Sequence, residues 1–163
     1  MRQADIKLNG HAFEARIYAE APERDFMPAT GRIAYLAEPE NARIDTAVRC
    51  GDEIGINYDP MISKLIVHAD CRSAALTKLR QALSDYQILG VQTNIGFLSS
   101  VLSVKEFAEQ DFDTGFIETH YKKLFNKEDG QAAIAVCMAA LAVLPAIERD
   151  GVSCLDPWQD KAG

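Results

Sequence analysis

The segment Gly10–Glu20, GHAFEARIYAE, decides how the rest of this 163-residue chain is read. Side chains alternate across the two faces of a strand. Phe13, Ala15 and Ile17 therefore form one apolar face, and Ala12, Glu14, Arg16 and Tyr18 form the other. Opposite charges two residues apart on one strand face leave two readings open. Glu14 and Arg16 can form an ordinary surface ion pair. Alternatively, the sheet holds Arg16 rigidly and aims it at an anionic ligand or intermediate.

Outward from this strand the first half of the chain keeps a two-residue period. Met1–Leu8 is a polar connector. Residues 19–30, with Pro22, Pro28 and a charge cluster, form a loop that Gly31 ends. Strands are expected at 32–36, at 42–48 with Ile44 opposed to Arg43 and Asp45, at 53–57, and at 62–68, where a run of apolar residues marks a buried strand. Gly and Pro turns separate them, which points to an antiparallel sheet.

The period then changes. Ala75, Leu76, Leu79, Ala82, Leu83 and Tyr86 recur at helical spacing, so 72–86 is a helix with one buried stripe, capped by Asp70. Residues 87–90 are a connector or short strand. Further helices are expected at 95–102, capped by Thr93-Asn94, at 105–110 and at 116–125. The fold class is α+β: an antiparallel β-sheet followed by helices that cover one of its faces. Residues 1–125 make one domain. Residues 126–163 make a charged, glycine-ended linker, then a C-terminal apolar helix over 132–147 and the truncated start of a second domain.

Composition narrows the function. Hydrophobic residues make up 48 % of the chain and charged residues 25 %, and the net charge of −7 argues against general nucleic-acid binding. The 16 residues of the apolar stretch, broken by Pro145, are fewer than the roughly 20 that a membrane span needs. Four cysteines without CxxC spacing read as free thiols in a reducing compartment. Three scattered histidines carry no zinc pattern, so no metal site is expected.

Four motifs in series now point to a family. GHAFEARIYAE at 10–20, FMPATG at 26–31, YDPMISKLIV at 58–67 and LGVQTNIGFL at 89–98 resemble the C-terminal subdomain of biotin carboxylase. That enzyme is an ATP-grasp protein that carboxylates biotin with bicarbonate and ATP. The resemblance covers about residues 8–122. It looks closest to the biotin-containing α subunits of acyl-CoA carboxylases, with methylcrotonoyl-CoA carboxylase ahead of the propionyl-CoA and geranyl-CoA enzymes. Asp156-Pro157-Trp158 and the apolar helix are similar to the segment that leads into the carboxyltransferase-docking domain.

The resemblance implies roles residue by residue. Arg16 matches the arginine that contacts biotin and bicarbonate and stabilises the biotin enolate. Glu14 either orients Arg16 or is structural. Asp59 matches an aspartate near that site, where it positions Arg16 or lines the biotin entrance. Arg43 falls where bacterial biotin carboxylases place a dimer-contact arginine. Tyr58 and Lys64 fit the motif, with packing and a solvated lysine as the plainer account. ATP, Mg2+ and the bicarbonate base are expected to be held mainly by an N-terminal ATP-grasp region missing from these residues, and the biotin-attachment sequence is absent. The implied partners are that region, the biotin carboxyl carrier domain and a carboxyltransferase β subunit. The implied location is the cytoplasm for a bacterial protein and the mitochondrial matrix for a eukaryotic one, with no targeting segment in this chain. A non-catalytic interaction or dimerisation module is the alternative, and the isolated chain is expected to be inactive.

Overall fold

A computed structural model describes residues 2–125; the expected linker, apolar helix and second-domain start lie outside the described residues. In order, the elements are β1 (His11–Tyr18), β2 (Glu20–Ala21), β3 (Met27–Pro28), β4 (Gly31–Arg32), β5 (Tyr35–Ala37), β6 (Arg43–Thr46), β7 (Glu53–Ile54), β8 (Met61–Ala69), α1 (Arg72–Asp85), β9 (Gln87–Leu89), α2 (Ile95–Ser103), α3 (Lys105–Ala108), α4 (Phe116–Thr119) and α5 (Tyr121–Phe125). The α+β class, antiparallel strands followed by covering helices, is as the sequence predicts.

The centre is a three-stranded antiparallel sheet in the order β1-β8-β6. Its register puts Phe13, Ala15 and Ile17 opposite Val67, Leu65 and Ser63 on one face. Helix α1 lies on that face through Ala75, Leu76, Leu79, Ala82 and Leu83, the predicted stripe. Ile17, Leu65, Val67, Leu79 and Leu83 are almost wholly buried there, and burying a large aliphatic side chain contributes about 1.5–3 kcal/mol. One polar pair sits inside this core, where the hydroxyls of Ser63 and Tyr86 hydrogen-bond at 2.8 Å. Arg72, at the start of α1, lies over the rings of Phe13 and Phe107 and donates to the Phe107 carbonyl.

Several expectations need correction. The strands do not form one sheet: β2–β3, β4–β7 and β5–β9 are separate two-stranded pairs. The expected strand at 32–36 is broken because consecutive amides turn to different partners. Ile33 donates to the Asp52 carbonyl and Ala34 to that of Leu89. Gly90 sits beside this crossing at φ +104, and a Cβ there would collide with the Arg32 carbonyl oxygen, so only glycine fits. The strand expected at 53–57 is only Glu53–Ile54, and that at 42–48 only Arg43–Thr46. The helix at 116–125 is interrupted at His120. Asp70 does not cap α1; Cys71 holds the N-cap position. Among the described residues no helix is long and apolar enough to cross a membrane, and Cys50 and Cys71 are free and exposed.

Candidate active-site face

Among the described residues, the other face of the three-stranded sheet carries no helix, and it gathers charge. Cross-strand partners share a face. Arg16 on β1, Lys64 on β8 and Asp45 on β6 therefore form one row, and Glu14, Ile66 and Arg43 form the next. Hydrophobic alternation forces this arrangement: once Ala15, Ile17, Leu65 and Val67 enter the core, their neighbours must face out.

Arg16 projects from this face with its side chain 62 % exposed, and its Nε donates to Glu14 Oε1 at 3.4 Å. The Tyr18 side chain and then the Glu14 carboxylate hold the guanidinium above its ordinary value. Arg16 is thus always charged, and among the described residues much of its fork stays open to an anion. On the far side of the row, Asp45 accepts from Nε and from an Nη of Arg43, each at 3.0 Å, and lies 3.6 Å from the Lys64 ammonium. Those two cations, the Arg43 hydrogen bond first, keep the Asp45 carboxyl below the usual range.

Below Arg16 the ladder slips between Ile17 and Tyr18. Asn94, 5 % exposed, closes the edge at this point. Its Oδ1 accepts from the Tyr18 amide at 3.0 Å, and its Nδ2 donates to the Arg16 carbonyl at 3.1 Å. Glu20 is half-buried nearby. Desolvation raises its carboxyl above the ordinary value; Asn94 opposes that rise and the charge of Asp59 adds to it.

The structure brings Glu14 and Arg16 together, and the charge of Asp59 reaches Glu20 beside Asn94. Asp59 Oδ1 accepts from the Met61 amide at 3.2 Å, closing the turn into β8. It shares a surface cleft with Tyr58, Glu53 and Ile54. Among the described residues, no hydrogen bond or ion pair joins Asp59 to Arg16. Asn94 and Glu20 belong to this region although Asn94 reads locally as a helix cap and Glu20 stands where the strand segment 10–20 gives way to the loop. Lys64 is ion-paired to Asp45 rather than simply solvated. Among the described residues, no group of three or more His, Cys, Asp and Glu side chains is arranged to hold a metal ion.

A β1–β8–β6 sheet backed by α1, with an arginine standing on its open face, is the arrangement of a known class of domain. The chain belongs to the biotin carboxylase C-terminal domain family, whose model matches residues 14–119. Its relatives are larger proteins. The α subunit of methylcrotonoyl-CoA carboxylase from Rattus norvegicus is 45 % identical over 147 residues, which cover 88 % of this chain and 21 % of that protein. The propionyl-CoA carboxylase α chain from Sus scrofa is 43 % identical over 124 residues, covering 74 % of this chain and 17 % of that one. Among solved structures, the biotin carboxylase domain of Hydrogenobacter thermophilus 2-oxoglutarate carboxylase, crystallised with MgADP, ADP and bicarbonate, superposes with a TM-score of 0.75. Its identity is 36 %, over 78 % of this chain and 29 % of that one. The chain thus spans about a fifth of the length of its methylcrotonoyl-CoA carboxylase relatives.

Proposed function

We propose that this chain is the biotin-side wall of a biotin carboxylase site in an acyl-CoA carboxylase of the methylcrotonoyl-CoA type. The observation that carries the reading is Arg16: a guanidinium set on a strand backed by core, flanked by Glu14 and Tyr18, and open to solvent. An exposed cation whose base is fixed fits an anionic ligand. Biotin bound there would supply the ureido group that accepts carboxyl from bicarbonate in an ATP-dependent reaction. Arg16 would face the negative charge that develops on that group, and being fixed beforehand it loses little freedom in doing so. Glu14 would keep the guanidinium from swinging away. Asp59, held by the Met61 amide, would line the approach rather than touch Arg16. Lys64 and Arg43, both engaged by Asp45, would stay with the sheet.

In this reading ATP and Mg2+ bind mainly to an ATP-grasp region outside these residues. The carrier domain brings biotin to Arg16, and a carboxyltransferase β subunit uses the carboxybiotin. Similarity to the mitochondrial rat and pig subunits supports a matrix location for a eukaryotic parent, with the cytoplasm its counterpart in bacteria. The test is Arg16→Ala in a full-length carboxylase carrying this segment. Biotin carboxylation should fall about 100-fold or more, the scale of removing one preorganised charge-stabilising group, while the KM for ATP stays near wild type. Equal loss of ATP binding would refute the assignment.

A further inference from the structure

We infer that Asn94 is a positioning residue for Arg16, acting through the backbone of β1; this deepens the reading of Arg16 given above and rests on it. Among the described residues, strand β1 is an edge of its sheet, paired with β8 on one side. An edge strand keeps a row of unpaired backbone groups, and the pairing is irregular just after Arg16, at Ile17/Tyr18. The residue that presents the guanidinium would then stand on the least supported part of the strand.

Asn94 supplies the missing neighbour. A carboxamide has the donor and acceptor of a peptide group. Here it occupies the place of one peptide from an adjoining strand, donating to the Arg16 carbonyl at 3.1 Å and accepting from the Tyr18 amide at 3.0 Å. The backbone amide of Asn94 adds a third bond, to the Tyr18 carbonyl at 3.2 Å. Those three bonds bracket Arg16–Tyr18 and are shielded from water, since Asn94 is 5 % exposed.

The use of this side chain is informative. Asn94 stands at the N-cap of α2, where an asparagine ordinarily satisfies the helix's own first amides. Its side chain makes no cap bond. Both polar ends are instead spent on a strand 76 and 78 residues away in sequence. Helix α2 also packs against α1, so the clamp is anchored in the core. Movement of a reacting group by about 1 Å can cost on the order of 100-fold in rate, so a clamp on the arginine's backbone bears directly on turnover.

The experiment compares Asn94→Ala, Asn94→Ser, Arg16→Ala and the double variant Asn94→Ser/Arg16→Ala in a full-length carboxylase that carries this segment. Serine is a favoured N-cap residue, so Asn94→Ser can cap α2 and preserve the fold if Asn94→Ala does not. A serine hydroxyl cannot span both backbone groups. Amide hydrogen exchange reads the clamp itself, and steady-state kinetics read its consequence. We expect faster exchange at Tyr18 in Asn94→Ser, a fall in kcat for biotin carboxylation of about tenfold, and a KM for ATP within about twofold of wild type. The double variant should be no slower than Arg16→Ala alone, because Asn94 acts through Arg16. Unchanged exchange at Tyr18, wild-type kcat in Asn94→Ser, or losses that multiply in the double variant would each overturn the inference. Wild-type carboxylation by Arg16→Ala would instead overturn the reading of the site, and the role of Asn94 with it.

Discussion

Lys64 stands directly across the β1–β8 ladder from Arg16, yet its ammonium pairs with Asp45 on the opposite strand, 3.6 Å away. Two cations facing each other across a ladder repel. Asp45 takes up Lys64 and Arg43 together, and among the described residues Arg16 is the cation paired with Glu14. The open face is thereby divided into a satisfied half on β6 and β8 and an available guanidinium on β1.

This division predicts a pH dependence for Asp45→Asn. The folded-state carboxyl of Asp45 is depressed, by the Arg43 hydrogen bond above all. A depressed acid contributes stability above its unfolded value, and that contribution is lost as pH falls through the folded value. Asp45→Asn should therefore lower Tm modestly at neutral pH, and the gap from wild type should close well below the ordinary aspartate value of 3.8. A gap independent of pH in thermal melts would show that the charge of Asp45 is not what matters.

Conservative changes at the ion pair separate orientation from charge. Glu14 and Arg16 are both exposed, and exposed pairs are weak. Glu14→Gln should slow biotin carboxylation in the full-length enzyme by less than about fivefold. Arg16→Lys keeps the charge but loses the planar fork, and should remain at least about tenfold slow. Comparable losses in the two variants, measured as kcat at saturating ATP, would make Glu14 an equal participant.

Stability should hinge on a different pair. Tyr86→Phe removes the only described hydrogen-bond partner of the buried Ser63 hydroxyl. Leaving a buried polar group unpaired costs about 1–3 kcal/mol. Denaturant melts should show that loss, and Ser63→Ala added to Tyr86→Phe should recover part of it. Burial raises the Tyr86 phenol, so its contribution is complete below the ordinary tyrosine value of 10.0 and is lost as pH rises through the folded value. The wild-type protein should therefore lose stability in strong alkali faster than Tyr86→Phe does; identical alkaline profiles would contradict the buried phenol's role.

Local pattern reached the elements whose burial is one-sided. The alternation in 10–20 placed Arg16 and Glu14 on the open face, and the helical stripe of α1 fell where the spacing put it. Short-range pattern did worse where partners are distant. RIAYL alternates like a strand, but Ile33 and Ala34 bond to Asp52 and Leu89, 19 and 55 residues away, and the strand divides. Nor does local pattern show that an Asp59 oxygen accepts from the Met61 amide and closes the turn into β8.

The sequence by itself determined the class of fold, the face on which Arg16 stands and the family, because alternation, periodicity and motif order are properties of neighbouring residues. Only the tertiary structure decided which groups surround that arginine. Asn94 reads as a helix cap until β1 comes beside it; Asp45 reads as one more charge on a strand until β8 places Lys64 next to it. Both roles arise from hydrogen bonds and ion pairs between segments far apart in the chain, and no local pattern encodes them.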